Sequence, residues 1–313
     1  MKRAVATVVA ARRSAPRPVG SKLLVDERGA MEGSVSGGCV ESDVVGVCRA
    51  VLEGQAPRLV TYGISDEQAF EVGLPCGGEI DVFVREYDDD LYARIGERRA
   101  VVYTDLETGA QRIAFEGDDD VTDGLLRGVA SRVVGSEFAD VFGPPPRLLV
   151  FGAIDTAEEL CRAAKQLGWR TIVADARARF ATAKRIPSAD ELLVLWPDDA
   201  LAQVQPDHTT AVVVLTHDEK FDVPAIVGTL ATGAFYVGLL GSRRTQAKRR
   251  EALLDAGLDE AALERVHGPL GLDIGAHTPA ETAVSILAEI LAVRAGRGGG
   301  PLCTAAGRIH AEV

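Results

Sequence analysis

Arg147-Leu148-Leu149-Val150-Phe151-Gly152-Ala153-Ile154-Asp155-Thr156-Ala157 decides the fold of the second half of this 313-residue chain. Four unbroken apolar residues, Leu148 to Phe151, end a five-residue strand that runs into a glycine turn, and the turn opens a helix carrying Leu160, Ala164 and Leu167 at helical spacing. Arg170 to Ala174 is then a second buried strand, ending in Asp175. Further strands read at Glu191 to Trp196, Thr210 to Thr216 and Ala234 to Leu240, each followed by a helical pattern. Strands that alternate with helices and lack polar alternation imply a parallel sheet covered on both faces.

In such a doubly wound sheet, ligands bind beyond the carboxyl ends of the strands. The turn at Gly152 and the acid at Asp175 resemble a Rossmann fingerprint, in which an acid about 20 residues past the first glycine meets a ribose hydroxyl. The second fingerprint glycine is here Ile154, whose branched side chain would crowd a pyrophosphate. Use of NAD(P) is therefore doubtful. Gly241-Ser242-Arg243 opens a helix at another strand end, and that placement suits phosphate or carboxylate. Thr278-Pro279-Ala280-Glu281 reads as a capping box at the start of a helix that runs to Val293. Trp169 and Trp196 read as core or domain-interface residues.

The first half has a different texture. Strands read at Ala4 to Ala11, Lys22 to Asp26, Leu59 to Tyr62 and Ile80 to Val84, with a hairpin over Arg99 to Phe115. Between them lies Gly33-Ser34-Val35-Ser36-Gly37-Gly38-Cys39-Val40-Glu41, a glycine- and serine-rich loop with a thiol directly before a helix over Ser42 to Glu53. Ser42 or Asp43 is placed to cap that helix. A loop of this kind turns its N–H groups toward an anion, and a helix start favours a thiolate, which makes Cys39 a candidate ligand. A tight turn with a buried, inert cysteine fits the same residues. An echo follows at Gly73-Leu74-Pro75-Cys76-Gly77-Gly78-Glu79. Two such loops suggest one pocket shared by Cys39 and Cys76, with Glu41 and Glu79 nearby. Cys48 falls on the apolar face of the helix and reads as core.

Phe142-Gly143-Pro144-Pro145-Pro146 reads as a stiff linker. The expected organisation is a β-rich α+β domain over 1–141, the linker over 142–146, a Rossmann-like domain over 147–295, and a disordered tail over 296–313.

With 47% hydrophobic and 26% charged residues, and no apolar run near the ~18 residues of a membrane span, the composition is that of a soluble globular protein. The basic-then-apolar start, Met1 to Ala10, soon meets Arg12 and Arg13 and reads as a strand, not a signal peptide, so the expected compartment is the cytoplasm. Five cysteines without close spacing indicate neither a disulfide framework nor a zinc site. A net charge of −12 argues against nonspecific binding to nucleic acid or to an anionic membrane. Any phosphate must be held locally.

Ser14-Ala15-Pro16-Arg17, Gly33 to Glu41, Gly73 to Glu79, Val237 to Thr245 and Gly271 to Thr278, in that order, resemble the XdhC/CoxI family. These are accessory proteins of xanthine dehydrogenase and related molybdenum hydroxylases. The resemblance covers nearly the whole chain. It implies a chaperone that binds molybdenum cofactor (molybdopterin), supports exchange of its equatorial oxygen for sulfur with a cysteine desulfurase, and hands it to the apo-hydroxylase. It also implies a homodimer. Under this reading Gly37, Gly38, Cys39, Glu41, Cys76, Gly77 and Gly78 contact the cofactor, with Cys39 and Cys76 as possible molybdenum contacts. Asp175, Gly241, Ser242 and Arg243 complete the candidate binding set. The chain departs from the pattern by opening on a strand without the family's leading helix, and by reading Gly152-Ala153-Ile154-Asp155 where the family has a second glycine and a histidine. Two other readings stand beside it: an NAD(P)-dependent oxidoreductase and a non-enzymatic docking scaffold.

Overall fold

The computed structural model describes residues 1–13, 15–63, 78–128 and 130–305. The chain divides into two compact units that meet within the proline run, the first over Met1–Pro144 and the second over Pro145–Ala305.

The first unit is built on two antiparallel sheets. Strands β1 (Arg3–Arg12), β2 (Lys22–Asp26) and β3 (Met31–Gly33), helix α1 (Glu41–Leu52), and strands β4 (Arg58–Tyr62) and β5 (Glu79–Glu86) come first. Their five strands pair in the order β3-β2-β1-β5-β4. On one face, Ala4, Ala6 and Val8 of β1 and Ile80, Val82 and Val84 of β5 meet Val44, Val47, Cys48 and Val51 of α1. Burying each of those valines contributes about 1.5–3 kcal/mol, so the apolar stripe of α1 fixes where its first turn, and the loop before it, must lie. Helix α2 (Asp89–Ala93), β6 (Ala100–Asp105), β7 (Gln111–Phe115), α3 (Asp120–Gly128), β8 (Arg132–Val134) and β9 (Glu137–Phe142) follow. They form a four-stranded sheet, β7-β6-β9-β8, under Leu125 and Leu126 of α3. Val9 and Phe83 pack on Phe138, and Lys22 lies 2.7 Å from Asp140, which ties the two sheets together.

The second unit is a six-stranded, wholly parallel sheet. Strand β10 (Arg147–Phe151), α4 (Asp155–Gln166), β11 (Arg170–Ala174), β12 (Glu191–Leu193), α5 (Pro197–Val204), β13 (Thr210–Val214), α6 (Glu219–Leu230), β14 (Tyr236–Leu239), α7 (Arg243–Asp255), α8 (Glu260–Glu264), β15 (Val266–His267) and α9 (Pro279–Arg294) follow in order. The strand order is β12-β11-β10-β13-β14-β15. Pleating sends Leu148 and Val150 to the face covered by α4 and α9, and Leu149 and Phe151 to the face covered by α5, α6 and α7. Double burial explains the continuous apolar reading of β10. The chain steps from β12 at one edge back to β13, beside β10, so the topological switch point lies between β10 and β13. Residues 298–305 are exposed and carry a short 3₁₀ turn at Leu302–Thr304. The capping box at Thr278 and Glu281 forms as read.

Candidate functional site

The loop before α1 is organised around one carboxylate. Glu41 Oε1 accepts hydrogen bonds from Ser34 Oγ (2.6 Å), Ser36 N (2.9 Å) and Gly37 N (3.1 Å), while Oε2 accepts from Ser36 Oγ and from Gly38 N (2.8 Å). Hydrogen bonds from Ser34 and Ser36 overcome the cost of burial and hold the Glu41 carboxyl down at about 2. The anion that such a loop favours is thus supplied by the chain itself, and the N–H groups of Ser36, Gly37 and Gly38 are spent on it. Ser36 Oγ in turn accepts from Cys39 N and Val40 N (2.9 and 3.0 Å), which orders the chain leading into α1, whose N-cap residue is Val40. The helix therefore begins at Glu41, and neither Ser42 nor Asp43 caps it; Asp43 Oδ2 instead accepts from Tyr62 Oη (2.6 Å).

Gly37 and Gly38 have φ of +80° and +114°, and no atom lies within 4 Å of where a Cβ would stand on either. The backbone at this tip is open to an approaching molecule, and Cys39 beside it is exposed. Cys48 and Cys161 are buried, and burial pushes both thiols up to about 12. Cys76 and Gly77 lie outside the described residues, so the shared pocket proposed for Cys39 and Cys76 has no described geometry. Gly78 is buried at the foot of β5. Glu79 pairs with Arg12 (2.5 Å), whose other arm reaches Asp81 (2.7 Å). Among the described residues, no group of three or more His, Cys, Asp or Glu is placed to hold a metal ion.

In the second unit the remaining candidates gather at the carboxyl ends of the strands. Gly152 has φ +108°, and a Cβ there would stand 2.9 Å from Thr216 Cγ2, so the turn after β10 presses on the loop after β13. Asp175, at the end of β11, is only 5% exposed. Its carboxylate accepts from Ala153 N (2.9 Å) and from Arg177 N, Nε and Nη2 (2.9, 2.9 and 2.7 Å), and these donors hold it below the usual carboxylate range against its burial. Ile154 packs its side chain against the core beneath α4, and its N–H turns back to Gly152 O (3.0 Å). Ser242 caps α7 by accepting from Thr245 N (3.2 Å), and Arg243 is its first helical residue.

Two features of this edge escaped the sequence. Asp222 and Arg249 form a buried ion pair, 1% and 4% exposed at the side chain. Arg249 Nη2 donates to Thr216 O (2.8 Å) and lies 3.3 Å from His217 Nδ1, and its Nη1 supports Leu240 O under Gly241. Asp222 Oδ1 accepts from Thr216 Oγ1, whereas Oδ2 is 2.5 Å from Arg249 Nη2 without a directed hydrogen bond. Burial pushes the Asp222 carboxyl up, and Arg249 opposes it. The pair braces the loops after β13 and β14. The second feature is Trp196, which is 51% exposed, outside the core, and stacked on Phe221 at 4.6 Å.

Comparison with known proteins covers both units. Residues 148–290 match the family model described as the XdhC Rossmann domain, and residues 2–63 match that of the XdhC and CoxI family. A probable xanthine dehydrogenase subunit from Bacillus subtilis (strain 168) is 28% identical over 312 residues, spanning 93% of this chain and 92% of its own. The molybdenum cofactor insertion chaperone PaoD of Escherichia coli (strain K12) is 29% identical over 292 residues, spanning 92% and 82%. A crystal structure of a xanthine dehydrogenase from Bacillus halodurans superposes with a TM-score of 0.73 at 25% identity, covering 98% of this chain and 94% of that one.

Proposed function

Because the chain belongs to the XdhC and CoxI family, we propose that it is an accessory protein that carries molybdenum cofactor and inserts it into a molybdenum hydroxylase of the xanthine dehydrogenase type. The likeness, over 92% of this chain, to a relative named as an insertion chaperone supports the insertion role. The observation that carries the site assignment is the exposed thiol of Cys39 on a loop fixed by five hydrogen bonds to Glu41. A soft thiolate suits molybdenum, and the open backbone at Gly37 and Gly38 leaves room for a flat ligand to approach it. Glu41 keeps the thiol on a preordered loop, so little ordering entropy is lost on binding. Cys76, Gly77 and Gly78 complete the proposed contact set.

Sulfuration of the cargo by a cysteine desulfurase, delivery to the apo-hydroxylase and assembly as a homodimer in the cytoplasm belong to the same proposal. Among the described residues no helix is long and apolar enough to cross a membrane. The test is anaerobic copurification with molybdopterin, compared between wild type, Cys39→Ala and Cys76→Ala. Loss of the pterin in the variants supports the assignment; unchanged binding in both sinks it.

A further inference from the structure

The parallel unit presents a cation where its topology would offer an acid. In a doubly wound sheet the acid closing the second strand reads the hydroxyls of a ribose. Asp175 occupies that place at the end of β11, but four donors already fill its acceptor sites. What faces outward is Arg177, with 41% of its side chain exposed and its guanidinium fixed through Nε and Nη2 on Asp175. The group lies 4.1 Å above the Phe180 ring and 6.0 Å from that of Phe221. Phe221 stacks in turn on Trp196, interplanar angle 15°. Trp196 follows β12 and Phe221 opens α6 after β13, so a preoriented guanidinium and an aromatic shelf share one edge beside the switch point.

We infer that this edge binds a purine nucleotide whose ribose carries a 2′-phosphate, the phosphate on Arg177 and the base on the shelf of Trp196 and Phe221. A free ribose diol finds no acceptor at Asp175, whereas a phosphate finds a planar, already oriented donor. Bases stack on an exposed indole without needing hydrogen-bond readout. The diphosphate of a dinucleotide adds little here, because the Ile154 amide is turned back to Gly152 and Asp155 sets a carboxylate in the first turn of α4. Asp175 acts through Arg177 and is a positioning residue. Asp218, which caps α6, adds an opposing negative charge near the guanidinium.

Calorimetric titration of the full chain with adenosine 2′-monophosphate and adenosine 5′-monophosphate tests this. The 2′-phosphate is expected to bind at least ~10-fold more tightly, with that preference lost in Arg177→Ala and overall affinity lost in Trp196→Ala. Asp218→Asn keeps the helix cap and is expected to tighten the 2′-phosphate, which secures the test should Arg177→Ala misfold. Equal affinity for the two nucleotides, no binding of either at ~1 mM, or a preference unchanged in Arg177→Ala with Asp218→Asn also neutral overturns the inference. Cys39→Ala leaves this titration unchanged, so its failure is separate from failure of the molybdopterin site.

Discussion

Replacing Glu41 by Gln removes one charge and almost no volume, yet it takes the centre out of the loop that carries Cys39. Three backbone N–H groups and two serine hydroxyls converge on the carboxylate. An amide offers one acceptor oxygen to them and turns an NH₂ group against the rest. Holding the carboxyl at about 2, down from 4.5, corresponds to about 3 kcal/mol at most. Solvent screening at this partly exposed site reduces that to about 1–2 kcal/mol. The sign follows from the direction of the shift. A carboxyl held below its unfolded value stabilises the fold above about pH 4.5, and the contribution is lost as pH falls through about 2. Both tryptophans, Trp169 and Trp196, belong to the second unit, so the loss is to be followed by urea denaturation with far-UV circular dichroism and not by tryptophan fluorescence. Glu41→Gln is expected to cost about 1–2 kcal/mol at pH 7, with the difference from wild type shrinking as pH is lowered below about 4.5. A cost under about 0.5 kcal/mol, or one that does not change with pH, refutes the view that this carboxylate organises the loop.

In the second unit, Gly152→Ala forces a Cβ to 2.9 Å from Thr216 Cγ2 at φ +108° and is expected to cost about 1–3 kcal/mol in a fluorescence-monitored melt. Asp222→Ala leaves Arg249 buried without its counter-charge, and a loss of about 3–5 kcal/mol is expected by the same melt. Iodoacetamide on the native protein, read by peptide mass spectrometry, should label Cys39 and Cys303 while sparing Cys48 and Cys161, whose thiols are buried and pushed up to about 12. Rapid labelling of Cys48 in folded protein contradicts the packing of α1 on its sheet.

Periodicity carried most of the fold. The bounds of β2, β10 and β11 agree residue for residue with the runs read at Lys22–Asp26, Arg147–Phe151 and Arg170–Ala174, because a glycine or proline stands close to each run: Gly20 before β2, Pro146 and Gly152 around β10, and Gly168 before β11. Strands at Glu191 and Thr210 end earlier than their apolar runs, since Leu195 and Leu215 pack on the core as loop residues. The stretch through α3, β8 and β9 was not legible, because its strands are short and half-exposed.

At the site, residue types were legible and partnerships were not. Gly37, Gly38, Cys39 and Glu41 stood out by composition, but nothing in their order shows that Glu41 turns back to fill the loop's own nest. Asp222 and Arg249 are 27 residues apart and look like ordinary helix-surface charges until the fold buries them together. The acid at Asp175 was visible, and Arg177 two residues later was the available sign that its carboxylate is already spoken for.

The central claim rests on the thiol at the open tip of that loop. The direct measurement is molybdopterin bound per chain after anaerobic purification of wild type and Cys39→Ala, with circular dichroism confirming that both are folded. The account predicts bound pterin in wild type and at least a ~10-fold loss of affinity in the variant; a folded Cys39→Ala protein that binds as much pterin as wild type contradicts it.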